Sequence, residues 1–219
     1  MFIGHYAVGF AAKRFAPQAS LGALIAAPTF LDLLWPIFIL TGIEEVRISP
    51  GDTKFTPLEF ISYPISHGLV AAVAWATLFA VFYQLASRYW PGMVMIWLGV
   101  LSHWILDVVT HRADMPLYAG GPKYGFALWN YPKATVIVET AMFLIGVYLY
   151  WSTTRARDRI GEWVFWGYVV MLLVFYGLNL VSPPPPGVKT MAYVAIGFGW
   201  LLVFLAWWFD RHREPRLST

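Results

Sequence analysis

Residues 93–111 read Met-Val-Met-Ile-Trp-Leu-Gly-Val-Leu-Ser-His-Trp-Ile-Leu-Asp-Val-Val-Thr-His. From Met93 to Thr110 this is an apolar run close to the roughly 20 residues a helix needs to cross the hydrocarbon core. Set into its second half are His103, Asp107 and, at the edge, His111, spaced four residues apart. At about 100° per residue, four-residue steps keep the three side chains on one helical face within about 80°. Imidazole and carboxylate are the groups that hold zinc and other divalent cations, and this spacing lets one helix supply several. The bland reading is helix packing through satisfied polar groups. Against it stands the cost of ionisable groups at membrane depth, which makes them functional candidates by default.

Composition places the rest of the chain around that run. Of 219 residues 59% are hydrophobic and only 12% charged, with mean hydropathy +0.60; a soluble domain carries about a quarter charged residues. Twelve Trp, twelve Tyr and sixteen Phe suit aromatic belts at two membrane interfaces. The expected fold is all-α, an integral membrane bundle of about six transmembrane helices and a short N-terminal helix. The spans fall near Leu21–Leu40, Ile65–Ala86, Met93–Thr110, Ala134–Ser152, Trp163–Val181 and Met191–Phe209. Pro28 and Pro36 are expected to kink the first. Met1–Ala16 is too short to span and reads as an interfacial or re-entrant helix. No linker or internal repeat divides the chain, so residues 1–219 form one polytopic domain. Pro183–Pro186 reads as a stiff connection between the last two spans. With no cysteine there is no disulfide framework and no thiolate site. No cleavable signal pattern is evident, because Lys13 and Arg14 follow the first apolar run instead of preceding it.

Six spans would leave both termini on one side. Lys13, Arg14, Arg88, Arg155, Arg157, Arg159, Arg211, Arg213 and Arg216 collect there, nine basic residues against six (Arg47, Lys54, Arg112, Lys123, Lys133, Lys189) opposite. The bias predicts cytoplasmic termini in a bacterial or archaeal inner membrane. The basic residues flank the membrane without a recognition fold, so no nucleic-acid partner is expected.

This topology brings further polar residues to one depth. His67 lies near the outer end of the second span, Glu139 about two turns into the fourth, and Asp32 just past the middle of the first. Each has a simpler explanation: Asp32 as a contact at the kink, His67 as a helix cap, His111 as solvated, Glu139 as a helix-start acid. Buried carboxylates without partners are strongly disfavoured, however, so pairing with one another or with a shared cation is the economical arrangement. His5 on the N-terminal helix is an equal match for a satisfied core histidine or a ligand. His212, in an Arg-rich tail, reads as solvated.

The order His5, Asp32, Ser66-His67-Gly68 and Ser102-His103-x-x-x-Asp107 resembles the inner-membrane-associated metal-dependent hydrolase family of the LexA-binding type, over roughly residues 1–145. It is also similar to the ligand order of bacterial zinc-dependent phospholipase C and related nucleases. The resemblance implies His5, Asp32, His67, His103, Asp107, His111 and Glu139 as metal ligands. It departs at Thr135, where that pattern has His four residues before the Glu. One or two zinc ions follow in place of three.

The expected function is accordingly a membrane-embedded, metal-dependent hydrolase acting on a lipid or lipid-linked phosphoester, with membrane lipids as its surroundings. Metal lowers the pKa of a bound water, and Asp32 or Glu139 would act as general base. Gly-x-Ser-x-Gly is absent, so no serine nucleophile competes. The alternative is a cation or proton transporter built on the same His/Asp/Glu cluster; the missing repeat weighs against it. A structural scaffold is the third reading. With cytoplasmic termini, His5 would start on the side away from the cluster. Either Met1–Ala16 folds back into the bundle, or His5 is no ligand, or the orientation is inverted.

Overall fold

Lipid offers the backbone no hydrogen-bond partner, so the long apolar runs become helices that satisfy their own amides. The structure, a computed structural model, describes residues 1–216. Six helices are long and apolar enough to span: α2 (Leu21–Leu40), α3 (Leu69–Ser87), α4 (Trp90–Thr110), α5 (Pro132–Thr153), α6 (Arg159–Val181) and α7 (Val188–Asp210). Together with the short α1 (Ile3–Ala12) they form the all-α membrane bundle expected from the sequence. Local signals set their ends. Ser20 and Asp158 cap α2 and α6 by accepting from Ala23 N and Gly161 N, proline occupies the first turns of α4 and α5, and Arg88 closes α3 at φ 53°.

The second span begins four residues later than expected, at Leu69 instead of Ile65. Glu44 takes the amides of Ile65 and Ser66, each at 2.8 Å. This holds Ser66-His67-Gly68 in a turn outside the helix. Segments read as loops also form three antiparallel strand pairs: two hairpins, β1 (Glu45–Ile48) with β2 (Leu58–Ser62) and β3 (Met115–Pro116) with β4 (Lys123–Tyr124), and the long-range pair β5 (Thr154–Ala156) with β6 (Arg213–Pro215). The first two cover one end of the bundle over a core of Trp35, Val46, Phe60, Tyr63, Met115 and Trp129. The third closes the opposite end.

Helix α1 is re-entrant and lies inside the bundle, packed against α2 and α5 and touching α4. Eight of its ten residues are buried, as befits a helix apolar on all sides. Two glycines let it approach so closely. A Cβ on Gly146 of α5 would stand 2.4 Å from Ala7 O, and one on Gly9 would stand 2.8 Å from Leu24 O. Leu24 O is the carbonyl that Pro28, lacking an N–H, leaves free within α2. At the lower end Lys13 Nζ donates to Ala19 O and to Asp210 Oδ2, both at 2.7 Å. Asp210 also accepts from Leu21 N and from Tyr150 OH, each at 2.8 Å. One buried carboxylate thus joins α1, α2, α5 and α7.

Elsewhere the helices meet through small or aromatic faces. Ala72, Ala76 and Ala80 of α3 are buried against Ile96 and Val100 of α4, a small-residue seam of the kind that substitutes for hydrophobic drive in lipid. Phe10, Phe143, Tyr150, Phe165, Tyr168 and Phe209 fill the lower core in edge-on and tilted contacts. The outward faces carry exposed Val70, Phe82, Leu85, Ile105, Val170 and Val194, an apolar girdle that belongs in lipid.

Removing one partner of a buried ion pair leaves the other uncompensated, at a typical cost of about 3–5 kcal/mol. Asp210→Ala should therefore lower the unfolding temperature in detergent sharply. Lys13→Met/Asp210→Leu, which removes both charges, should recover most of the loss. A single variant as stable as the parent would show that the pair does not hold α1.

Candidate metal centre

The site is assembled from three elements that converge on α4. His103 and Asp107 point inward from it. Their level is reached by Asp32 of α2, about 16 Å above Leu21 at 1.5 Å per residue, and by His5 of α1, about 12 Å above Lys13. His67 comes from the turn before α3, and His111 from the residue that ends α4. His5, His67, His103, Asp107 and His111 are buried, whereas the Asp32 side chain is 48% exposed, toward a cavity. The fold-back of α1 resolves the position of His5. Met1 itself is buried at the level of Asp107, and its amino group hydrogen-bonds Asp107 Oδ1.

Hydrogen bonds to the outer nitrogens fix the rings. His103 Nδ1 lies 2.7 Å from Pro28 O; a carbonyl only accepts, so Nδ1 carries the proton. Ser66 Oγ donates to Glu44 Oε2 at 2.5 Å and therefore accepts from His67 Nδ1 at 2.7 Å. His111 Nδ1 donates to Asp114 Oδ1 at 3.0 Å. Assigned from this network, all three rings carry a proton on Nδ1 and turn Nε2 to the interior.

Those nitrogens meet two carboxylates. His103 Nε2 is 3.2 Å from His67 Nε2, 3.1 Å from Asp107 Oδ2 and 3.8 Å from Asp32 Oδ1. His67 Nε2 is 3.5 Å from Asp32 Oδ1 and 3.9 Å from Asp107 Oδ2. A tetrahedron with ligand arms of 2.0–2.1 Å has edges of about 3.3–3.4 Å, and the Asp32, His67 and His103 atoms, 3.2–3.8 Å apart, are spaced to share one cation. His5 stacks on His103 at 3.9 Å and 6°, with Nε2 3.1 Å from Asp107 Oδ1 and neither ring nitrogen hydrogen-bonded. His111 Nε2 lies 3.8 Å from Asp107 Oδ2. Among the described residues, two groups of ligand atoms fall within 4.8 Å: His5–His103–Asp107 and Asp32–His67–His103.

Glu139 stands outside both groups. Its Oε2 accepts from Phe2 N at 2.8 Å and Gly4 N at 3.3 Å, and so holds the first turn of α1. Thr135, at the position where the resemblance departs, donates to Leu128 O at 2.8 Å. His212 is not free in solvent: its Nδ1 lies 2.6 Å from Asp158 Oδ2. Sequence reasoning missed Glu44, Ser66, Asp114 and Tyr63 as supports of the centre. The only hints were an acid three residues beyond His111 and a serine beside His67.

The outermost support is ionic. Asp114 accepts from Tyr63 OH at 2.8 Å and from Arg112 Nε at 3.2 Å, while Arg112 Nη1 reaches Asp52 at 2.7 Å. Burial pushes the Asp114 carboxyl up, but the hydrogen bonds from His111, Tyr63 and Arg112 more than offset it and hold it below its ordinary value. Burial together with Asp114 pushes the Tyr63 phenol well above its ordinary range. Aromatic rings close the shell, with Phe60 4.7 Å and Trp129 4.2 Å from the His111 ring.

No protein-family model, no curated protein and no solved structure matches this chain.

Because the Asp114 pKa is lowered on folding, the stability it confers is fully present above the unfolded value of about 3.9. It fades as pH falls through the depressed folded value. The stability difference between the parent and Asp114→Asn, followed by thermal unfolding from pH 7 to pH 3, should hold constant down to about pH 4 and then shrink. A difference that grows on acidification would contradict the network.

Proposed function

We propose that the protein is a membrane-embedded, metal-dependent hydrolase acting on a lipid or lipid-linked phosphoester. The observation that carries this reading is the donor set: imidazole nitrogens and carboxylate oxygens gathered within 4.8 Å of one another inside the bundle, beside a cavity. His67, His103, Asp107 and Asp32 would hold the first cation, with zinc the best match to nitrogen and oxygen donors at this spacing. His5 and His111, both beside Asp107, are the further donors for a second. The motif order shared with metal-dependent hydrolases supports the same ligand set.

When bound, the cation supplies Lewis acidity and an acidified water. The chain's own residues supply the rest. A cavity of about 390 Å³ opens beside the cluster, lined by His5, Asp32, His67, Asp107 and His111 on one side. Its other side is Phe175, Met191, Ala195 and Phe198, with Asn179 as the polar group. Asp32 faces that space and Glu139 does not line it, so Asp32 is the carboxylate placed to accept a proton from an incoming nucleophile. The apolar wall excludes water and suits an acyl or prenyl chain. The basic-residue bias supports an orientation in an inner membrane with the cavity end of the bundle on the non-cytoplasmic side.

Protein purified without chelators should retain about one or two equivalents of a divalent metal. His103→Ala/Asp107→Ala should lose it, by elemental analysis. Metal-free parent protein would remove the reading.

Asp32→Asn, assayed on lipid phosphoesters, should lower turnover by about 10²–10⁴-fold, while keeping more metal than the His103/Asp107 variant. Bound metal with no hydrolysis, but with metal-dependent ion flux in vesicles, would favour the transporter instead.

A further inference from the structure

A second groove lies on the lipid-facing side of the same end of the bundle. It measures about 480 Å³ and is lined by Lys54, Phe55, Lys133, Val136, Ile137 and Leu180. We propose that this groove binds an anionic phospholipid, with Lys54 and Lys133 on the headgroup phosphate and the acyl chain along Val136, Ile137 and Leu180. The inference does not rest on the hydrolase reading.

The arrangement of charge and apolar surface matches such a molecule from top to bottom. Lys54 lies in the turn between β1 and β2, and Lys133 is the second residue of α5. Both are exposed, and among the described residues neither makes an ion pair. Two uncompensated ammonium groups thus stand where the helices leave the hydrocarbon, the depth at which phospholipids carry phosphate. The N-terminus of α5 adds its dipole on the same side. One turn deeper, about 6 Å along α5, the surface becomes apolar: Ile137 is 68% and Leu180 39% exposed. A soluble anion would use only the upper half of this groove, and an uncharged lipid only the lower. The groove also shares a wall with the metal cavity, because Phe55 lines both. A lipid held here is one side chain from that cavity.

The test uses full-length protein in mild detergent and native mass spectrometry of bound lipid. Dissociation constants are measured for palmitoyl-oleoyl phosphatidylglycerol and for phosphatidylcholine with the same chains. The parent should prefer phosphatidylglycerol by about ten- to thirty-fold, as two interfacial lysines would give. Lys54→Ala/Lys133→Ala should abolish the preference. Lys54→Arg/Lys133→Arg should restore it, and Arg159→Ala/Lys189→Ala, an equal loss of charge elsewhere, should leave it intact. An unchanged preference in Lys54→Ala/Lys133→Ala, or an equal loss in the Arg159/Lys189 control, would overturn the site. So would full displacement of the lipid by inorganic phosphate, since the occupant would then be the free anion.

Discussion

A helix too short to cross a membrane is held inside this one by carboxylates at both of its ends, and the rest of the structure depends on that. The first amides of any helix lack intrahelical acceptors, and in lipid each unsatisfied group costs several kcal/mol. Glu139 meets the demand at the upper end by accepting from Phe2 N and Gly4 N. At the lower end the Lys13–Asp210 pair draws α2, α5 and α7 onto the same point. With both ends fixed and glycine at the closest approaches, the height of His5 is set within the bundle. The acid that the resemblance implies as a ligand also holds, through Oε2, the helix that brings a histidine in.

The centre itself is organised from its periphery. Each of His67, His103 and His111 has its outer nitrogen committed to a partner that accepts a proton: Ser66 tied to Glu44, Pro28 O, and Asp114. Hydrogen bonds of this kind orient metal-binding imidazoles and fix their tautomer. Their consequence is electrostatic. Inner lone pairs are turned toward carboxylates, and two of those nitrogens are only 3.2 Å apart. A single proton can bridge that pair, the Met1 amino group meets Asp107 Oδ1, and Asp32 faces the cavity. A divalent cation at the Asp32–His67–His103 group would meet the lone pairs gathered there, which is the physical ground for proposing a metal centre.

Much of the architecture was legible because it is local. Spanning length and hydropathy gave six helices at nearly their final bounds, and the four-residue spacing of His103, Asp107 and His111 placed them on one face. The ambiguity over His5 was of another kind: periodicity cannot say whether a short apolar helix lies on the membrane or within it, since both bury an apolar surface. Only the tertiary partners Gly146 and Asp210 decide that. The hairpins escaped for a similar reason. Their strands are four and five residues long or shorter, and their pairing is fixed by contact with Trp35 and Trp129. Glu44 reads as a solvated loop acid until the turn at residues 65–68 closes over it. Asp114 likewise has no periodic signal, because it follows the end of α4.

Helices α6 and α7 carry no motif, yet they form the wall opposite the cluster. Donor chemistry is supplied by α1, α2, α4 and the turn before α3, and the apolar surface that would receive a substrate chain by the last two spans. Such a division has a physical logic. The donor side must be rigid, since ligand atoms displaced by a few tenths of an ångström lose coordination geometry, and hydrogen bonds tie down the His67, His103 and His111 rings. The receiving side needs only shape and hydrophobicity, which Met191 and the edge-to-face pair Phe175–Phe198 provide. Sequence change in α6 and α7 could then alter which chain is accommodated while the donor set stays untouched. The sequence signature of the centre therefore ends near Glu139, even though the cavity needs Phe198 to be closed.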